Sequence, residues 1–143
     1  MDQTDITLAA LTSANGVTFT PVQIQKLLFL IDMRLAQQTG GPHFKFEPYD
    51  YGPFDAKIYR CLESLQHQGE LEIIENANLR WKKYRLTPEG IARGQQLLSK
   101  LPEDVSEYIS RLAFFVTSMS FEELVGTIYK AYPAMKVNSV FRD

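Results

Sequence analysis

Cysteine occurs once in this chain, at Cys61, and histidine only twice, at His43 and His67. A single thiol cannot build an internal disulfide framework and suits a reducing compartment, so a cytoplasmic protein is expected. Metal-ligand residues never recur at C-x-x-C or H-x-x-x-H spacing, so neither a metal nor another cofactor is expected. The eight glycines are scattered, which excludes a Gly-rich phosphate loop. No apolar run approaches the roughly 20 residues needed to cross a bilayer. The opening MDQTDITLAALTSANG begins with acid rather than with the basic region of a signal peptide. Positive charge is not in excess either. Fifteen Lys and Arg against 17 Asp and Glu give a net charge of −2, so the molecule as a whole does not attract nucleic acid or anionic membrane.

Apolar material, by contrast, is plentiful. With 45% hydrophobic and 12% aromatic residues in 143 positions, the chain can fill one core, and a single domain over 1–143 is expected.

Residues 4–14 read as a short helix closed by Asn15-Gly16, and Val17-Thr18-Phe19 as a brief strand. Thr20-Pro21-Val22-Gln23 combines an N-cap Thr, a Pro at the first helical position and a Gln able to reach back. The helix it opens runs to about Gln38 and stops at Gly40-Gly41-Pro42. Its wheel carries two apolar stripes: Ile24, Leu27, Leu28, Ile31 and Leu35 on one side, Val22, Phe29, Met33 and Ala36 nearly opposite. Such a helix must be covered twice and belongs in the middle of the protein. The C-terminal helices are the expected cover for its back, and a second copy of the chain, in a homodimer, is the alternative.

The stretch YDYGPFD at 49–55 reads as a corner rather than a pocket. Gly52 is expected as N-cap and Pro53 as first residue of a helix over 54–68, with Tyr49 and Tyr51 anchoring the connection against the core. Phe54, Ile58, Cys61, Leu62 and Leu65 form that helix's apolar stripe. Leu71–Ile74 and Leu79–Leu86 read as a hairpin around Asn76-Ala77-Asn78. Thr87-Pro88 starts another helix to Lys100, on which Gly94 marks a close approach to a neighbour. Leu101-Pro102 is the internal boundary. Beyond it lie a stripe from Val105 to Met119 and a helix opened by the capping box Ser120-Phe121-Glu122-Glu123 and ended by Tyr132-Pro133.

This order predicts an α+β fold: a winged helix-turn-helix core over 1–100, a β-hairpin wing, and two helices over 101–143 packed on it. The connection of about 12 residues between the second and third helices is longer than the 3–4 of a tight helix-turn-helix.

Catalytic material is thin. Cys61 and His67 stand about 240° apart around one helix and cannot pair locally, and Cys61 lies on the apolar stripe. Asp50 and Asp55 read as turn and capping residues rather than an acid/base pair. A hydrolase would need His43 or His67 beside a carboxylate in a concave site.

Binding has more support. Arg80, Trp81, Lys82, Lys83, Tyr84 and Arg85 put four cations and two aromatics on the expected wing. Lys57, Arg60, Ser64 and His67 line one polar face of the third helix. Together these groups suit phosphate contacts on duplex DNA. Trp, Tyr and Arg are equally the residues that dominate protein interfaces. Under strict strand alternation Trp81 and Tyr84 face opposite sides, so one of them is exposed or meets a partner.

KLLFLID at 26–32, followed by FEPYDYGPFDAKIYRCLESLQHQGEL at 46–71, resembles the YwgA-type small bacterial and archaeal proteins. More distantly it resembles the Panacea domain of SocA-like antitoxins. The shared pattern is the Lys26–Phe29 helix, the Tyr51–Pro53 corner and the Ile58-Tyr59 pair; the ending IYKAYPAMKVNS at 128–139 is similar to the YwgA-type tail. The Panacea resemblance implies neutralisation of a toxin by protein contact. The expected function is therefore a non-enzymatic module that binds a protein partner, a toxin or a larger effector. The alternative is a DNA-binding winged-helix regulator using Lys57, Arg60 and the 80–85 strand.

Overall fold

A computed structural model describes residues 1–141. Among these described residues, six α-helices and two antiparallel β-hairpins make up an α+β fold whose core is helical. The first helix, α1 (Gln3–Thr12), begins at a capping box in which Asp2 Oδ1 accepts the Asp5 N–H at 2.8 Å while Asp5 Oδ2 accepts that of Asp2 at 3.3 Å. Its residues from Ile6 to Thr12 are all buried, so this helix is enclosed on every side over that span. The chain leaves it through Asn15 and Gly16, both at positive φ.

The second helix, α2 (Pro21–Thr39), starts at the anticipated Thr20/Gln23 capping box. It bends at Leu35, whose φ of −130° is not helical, and ends at left-handed Gly40. Its first stripe is fully buried. On the second, Phe29 is buried edge-on against Phe46 (5.4 Å between ring centres) and Tyr132 (4.9 Å). Helices α5 (Glu103–Thr117) and α6 (Phe121–Ala131) both pack on α2, so this chain itself covers much of that back. The cover stops short of Met33, which is 54% exposed. On α5, Phe114 stays 73% exposed beside Phe115, a second uncovered apolar surface.

The corner at 49–55 differs from expectation. Strands β1 (Glu47–Tyr49) and β2 (Gly52–Phe54) pair antiparallel, Tyr49 opposite Gly52 and Glu47 opposite Phe54, around Asp50-Tyr51. Gly52 is not an N-cap and Pro53 is not helical. With φ at +104°, Gly52 turns the chain back, and the fixed φ of Pro53 serves an edge strand as well as a helix start. Helix α3 (Lys57–His67) begins later, at Ala56, and Asp55 takes the capping role by accepting the Lys57 N–H at 2.9 Å.

After Gly69, β3 (Leu71–Ile74) pairs with β4 (Lys83–Leu86) in a hairpin whose return strand is shorter than the 79–86 expected. The expected strand at 17–19 is reduced to Phe19, which exchanges two backbone hydrogen bonds of 2.9 Å with Tyr84. Helix α4 (Pro88–Ser99) starts at Thr87, whose hydroxyl accepts the Gly90 N–H and donates to the Gly69 carbonyl. Gly94 makes the anticipated close approach: a side-chain carbon there would overlap Thr12 of α1. Pro133–Lys136 forms a final 3-10 turn. No described helix is long and apolar enough to cross a membrane.

Candidate functional site

The hairpin β1–β2 is held over the first turns of α2 by two fixed contacts. Gln25 Nε2 donates to the Asp55 carbonyl at 3.0 Å while its Oε1 accepts the Asp55 N–H at 3.0 Å. From the next residue, Lys26 Nζ donates to the Pro53 carbonyl at 3.2 Å. The tail clasps the hairpin from outside. Asp50's carbonyl accepts from the Val140 N–H at 3.0 Å and the Ser139 hydroxyl at 3.1 Å, and Asn138 Nδ2 donates to the Pro48 carbonyl at 3.2 Å.

Between hairpin and helix lies a partly open cavity of about 240 Å³. Pro21, Val22, Gln25 and Lys26 of α2 line one side; Tyr49, Asp50, Tyr51, Gly52 and Phe54 line another; Tyr59 and Trp81 complete it. The YDYGPFD stretch is thus a pocket wall as well as a corner. Tyr49 and Tyr51 do not anchor against the core as expected. They are 53% and 37% exposed at the rim, Tyr49 stacked on Phe54 (4.8 Å) and Tyr51 edge-on to Phe121 (5.1 Å). Gly52 is required twice over: its φ is positive, and a side-chain carbon would press on Tyr129 at 3.2 Å, with Lys26 in ordinary contact at 3.5 Å.

Lys26 is the unusual group, only 2% exposed. Burial without a charged partner favours the neutral amine and lowers its pKa from 10.5 to about 7. Among the described residues no carboxylate lies within ion-pair distance of it. Sequence reasoning passed over Lys26, yet the signal was there. Val22, Lys26, Phe29 and Met33 recur at helical spacing, so a lysine stands in the middle of an apolar stripe that had to be covered.

The residues singled out in the sequence separate into groups. Trp81 leaves the hairpin before β4 begins and lies against Phe121 of α6, ring centres 5.0 Å apart, with the Arg80 guanidinium 4.2 Å above its ring. This excursion is why the return strand is short. Tyr84 is core, where burial pushes its phenol up to about 12, and it also borders the cleft lined by Lys82. Lys82 lines a neighbouring cleft with Pro21, Tyr59 and Glu63; Lys83 is half-buried at the end of β4. Arg85 is spoken for by Glu72 at 2.7 Å. Lys57, Arg60 and His67 are exposed on α3 and Ser64 is half-buried. None of these four lines the cavity; Lys57 borders a separate groove with Lys45, Glu47 and Tyr49.

His43 does meet a carboxylate. Its Nδ1 lies 3.4 Å from Asp32 Oδ1, both side chains nearly fully buried. The Asp32 carboxylate accepts the backbone N–H groups of His43 (3.0 Å) and Phe44 (2.9 Å), and His43 Nε2 is 3.2 Å from the Met1 carbonyl. These contacts tie the chain after α2 to the start of α1, with both side chains inside the protein. Cys61 is buried and its thiol pKa is pushed up by that burial. Among the described residues no group of three or more His, Cys, Asp or Glu is placed to hold a metal ion. Compared with known proteins, the chain matches no family model and no curated relative.

Proposed function

We propose that the chain is a non-enzymatic binding module that engages a protein partner, a toxin or a larger effector, through the face built from hairpin β1–β2, Trp81 and Arg80. The observation that carries this reading is the concave, aromatic rim. Tyr49, Tyr51 and Trp81, with Arg80 stacked on the last, surround a preformed cavity. Tyr, Trp and Arg in and around desolvated pockets are the side chains that hold most interface energy. The resemblance of this same corner to Panacea-type antitoxins points in the same direction.

The second reading is a winged-helix regulator. The element order and the Phe19–Tyr84 bridge support that arrangement, with β3–β4 as wing and α3 as the helix offered to the groove. Its charge, however, is weak. Arg85 is engaged by Glu72 and Arg80 lies on aromatic rings; among the described residues that leaves Lys82 and Lys83 on the hairpin side and Lys57 and Arg60 on α3, few against a net charge of −2. Each neutralised phosphate adds about 0.9 to the salt slope of binding, so so small a set gives weak, salt-labile association.

Binding to a generic 20-base-pair duplex, about two turns of DNA, measured by fluorescence anisotropy at about 50 and 200 mM salt, separates the readings. The expected result is negligible binding at the higher salt and little difference between wild type and a Lys82/Lys83/Arg85→Ala variant. Tight binding with a steep salt slope, abolished in that variant, overturns the protein-contact reading in favour of the regulator.

A further inference from the structure

The cavity over Lys26 has the size and polarity of a small-ligand site. Its 240 Å³ exceeds the ~150 Å³ that encloses benzene in an apolar protein interior and falls below the ~300 Å³ at which pockets for drug-sized molecules begin. One or two fused rings with a short polar arm fit that space. Val22, Phe54, Trp81 and the faces of Tyr49, Tyr51 and Tyr59 supply apolar walls.

Polarity is concentrated at Lys26. A charged lysine amine has three hydrogens to donate. This one makes a single hydrogen bond, to the Pro53 carbonyl, and has no anionic partner among the described residues. Two further features add positive potential. The wall includes Pro21 and Val22, the first residues of the 19-residue helix α2, where the backbone dipole favours negative charge. Arg80, not itself a wall residue, lies over the ring of Trp81, which is one. The other titratable groups facing the space are the phenols of Tyr49, Tyr51 and Tyr59, the nearby ring of Tyr129, and Asp50. Asp50 is exposed in the hairpin turn, where water screens its charge.

We infer that this cavity binds a small monocarboxylate with an aromatic body, its carboxylate meeting the Lys26 amine and its ring lying among the walls. A dianionic phosphate is disfavoured because the site offers one amine and no convergent arginines. Where Lys26 is neutral before binding, the ion pair forms by taking one proton from solvent: the free carboxylate, a proton and the amine become a carboxylate–ammonium pair. The inference goes beyond the protein-contact reading and stands apart from it, since its test contains no partner.

Indole-3-acetate, its neutral amide and indole are suitable probes, titrated into isotope-labelled protein at pH 7 by NMR and calorimetry. The acetate is expected to bind at least ~10-fold more tightly than the amide, a difference of about 1.4 kcal/mol. Perturbed signals are expected at Tyr51, Gly52 and the Trp81 indole N–H. Calorimetry in phosphate and in Tris is expected to show uptake of a fraction of a proton per acetate bound. In Lys26→Met the acetate should lose its advantage over the amide while indole still binds. Equal affinity of acetate and amide for the wild type overturns the proposal without recourse to any variant. So does acetate binding that perturbs other residues and survives Lys26→Met, or no binding of any probe at about 10 mM.

Discussion

Lys26→Met is expected to raise stability at pH 6 by about 3–5 kcal/mol, less ~1 kcal/mol for the lost hydrogen bond to Pro53. The sign follows from where the amine ionises: at 10.5 when unfolded, at about 7 when buried. Below pH 7 both states carry the proton, so the folded protein bears the full cost of a buried ammonium. Between pH 7 and 10.5 the unfolded chain holds a proton that the folded one has released, and wild-type stability rises by up to about 1.4 kcal/mol per pH unit. Methionine fills nearly the same volume and has nothing to titrate. The gap between variant and wild type should therefore be widest below pH 7 and nearly closed by pH 10.5. Urea denaturation of both proteins at pH 6, 8 and 10 measures it. Parallel pH profiles would show that the Lys26 amine keeps its ordinary ionisation and is in contact with water.

A second large effect is expected at Gly90. A side-chain carbon there would overlap the backbone carbonyl of Glu70, whose oxygen also accepts the Thr87 N–H at 3.1 Å. Neither group is a flexible side chain that can rotate away, so α4 must lift off the α3–β3 connection. Gly90→Ala is expected to cost about 2–4 kcal/mol although alanine is the better helix former. Gly126→Ala in α6 is the control. Among the described residues nothing beyond its chain neighbours and its own helix backbone lies within 4 Å of the added carbon, so the same chemical change should stabilise by about 0.5–1 kcal/mol. Denaturant midpoints of the two variants should move in opposite directions. Movement in the same direction would mean that α4 does not sit against Glu70 as described.

The helix starts were legible because each carries its own local chemistry. Thr20-Pro21, Thr87-Pro88 and Ser120 with Glu123 all cap the helices they announce. Gly52-Pro53 was misread because glycine before proline suits either a helix start or a strand leaving a tight turn. What chose the strand is long-range: the Pro53 carbonyl meets Lys26, and Asp55 meets Gln25, both on α2. Trp81 was assigned to a strand by alternation, and its departure depends on Phe121, 40 positions later. The pocket followed the same rule. Its aromatic wall was visible as YDYGPFD, but its floor is a lysine whose burial shows only when the stripe carrying it is known to be covered. The basic face of α3 was readable as a surface, and it lies outside that cavity.

The reading of this face as the place of partner contact is tested most directly by quantitative co-purification of tagged variants from the native cell. Compared with wild type are a rim variant, Tyr51→Ala/Trp81→Ala, and an α3 variant, Lys57→Ala/Arg60→Ala, each checked for unchanged folding. The account predicts one protein recovered in near-stoichiometric amount with wild type and with the α3 variant, and lost with the rim variant. A partner that survives loss of the rim but disappears with the α3 cations would contradict it, as would the absence of any stoichiometric partner.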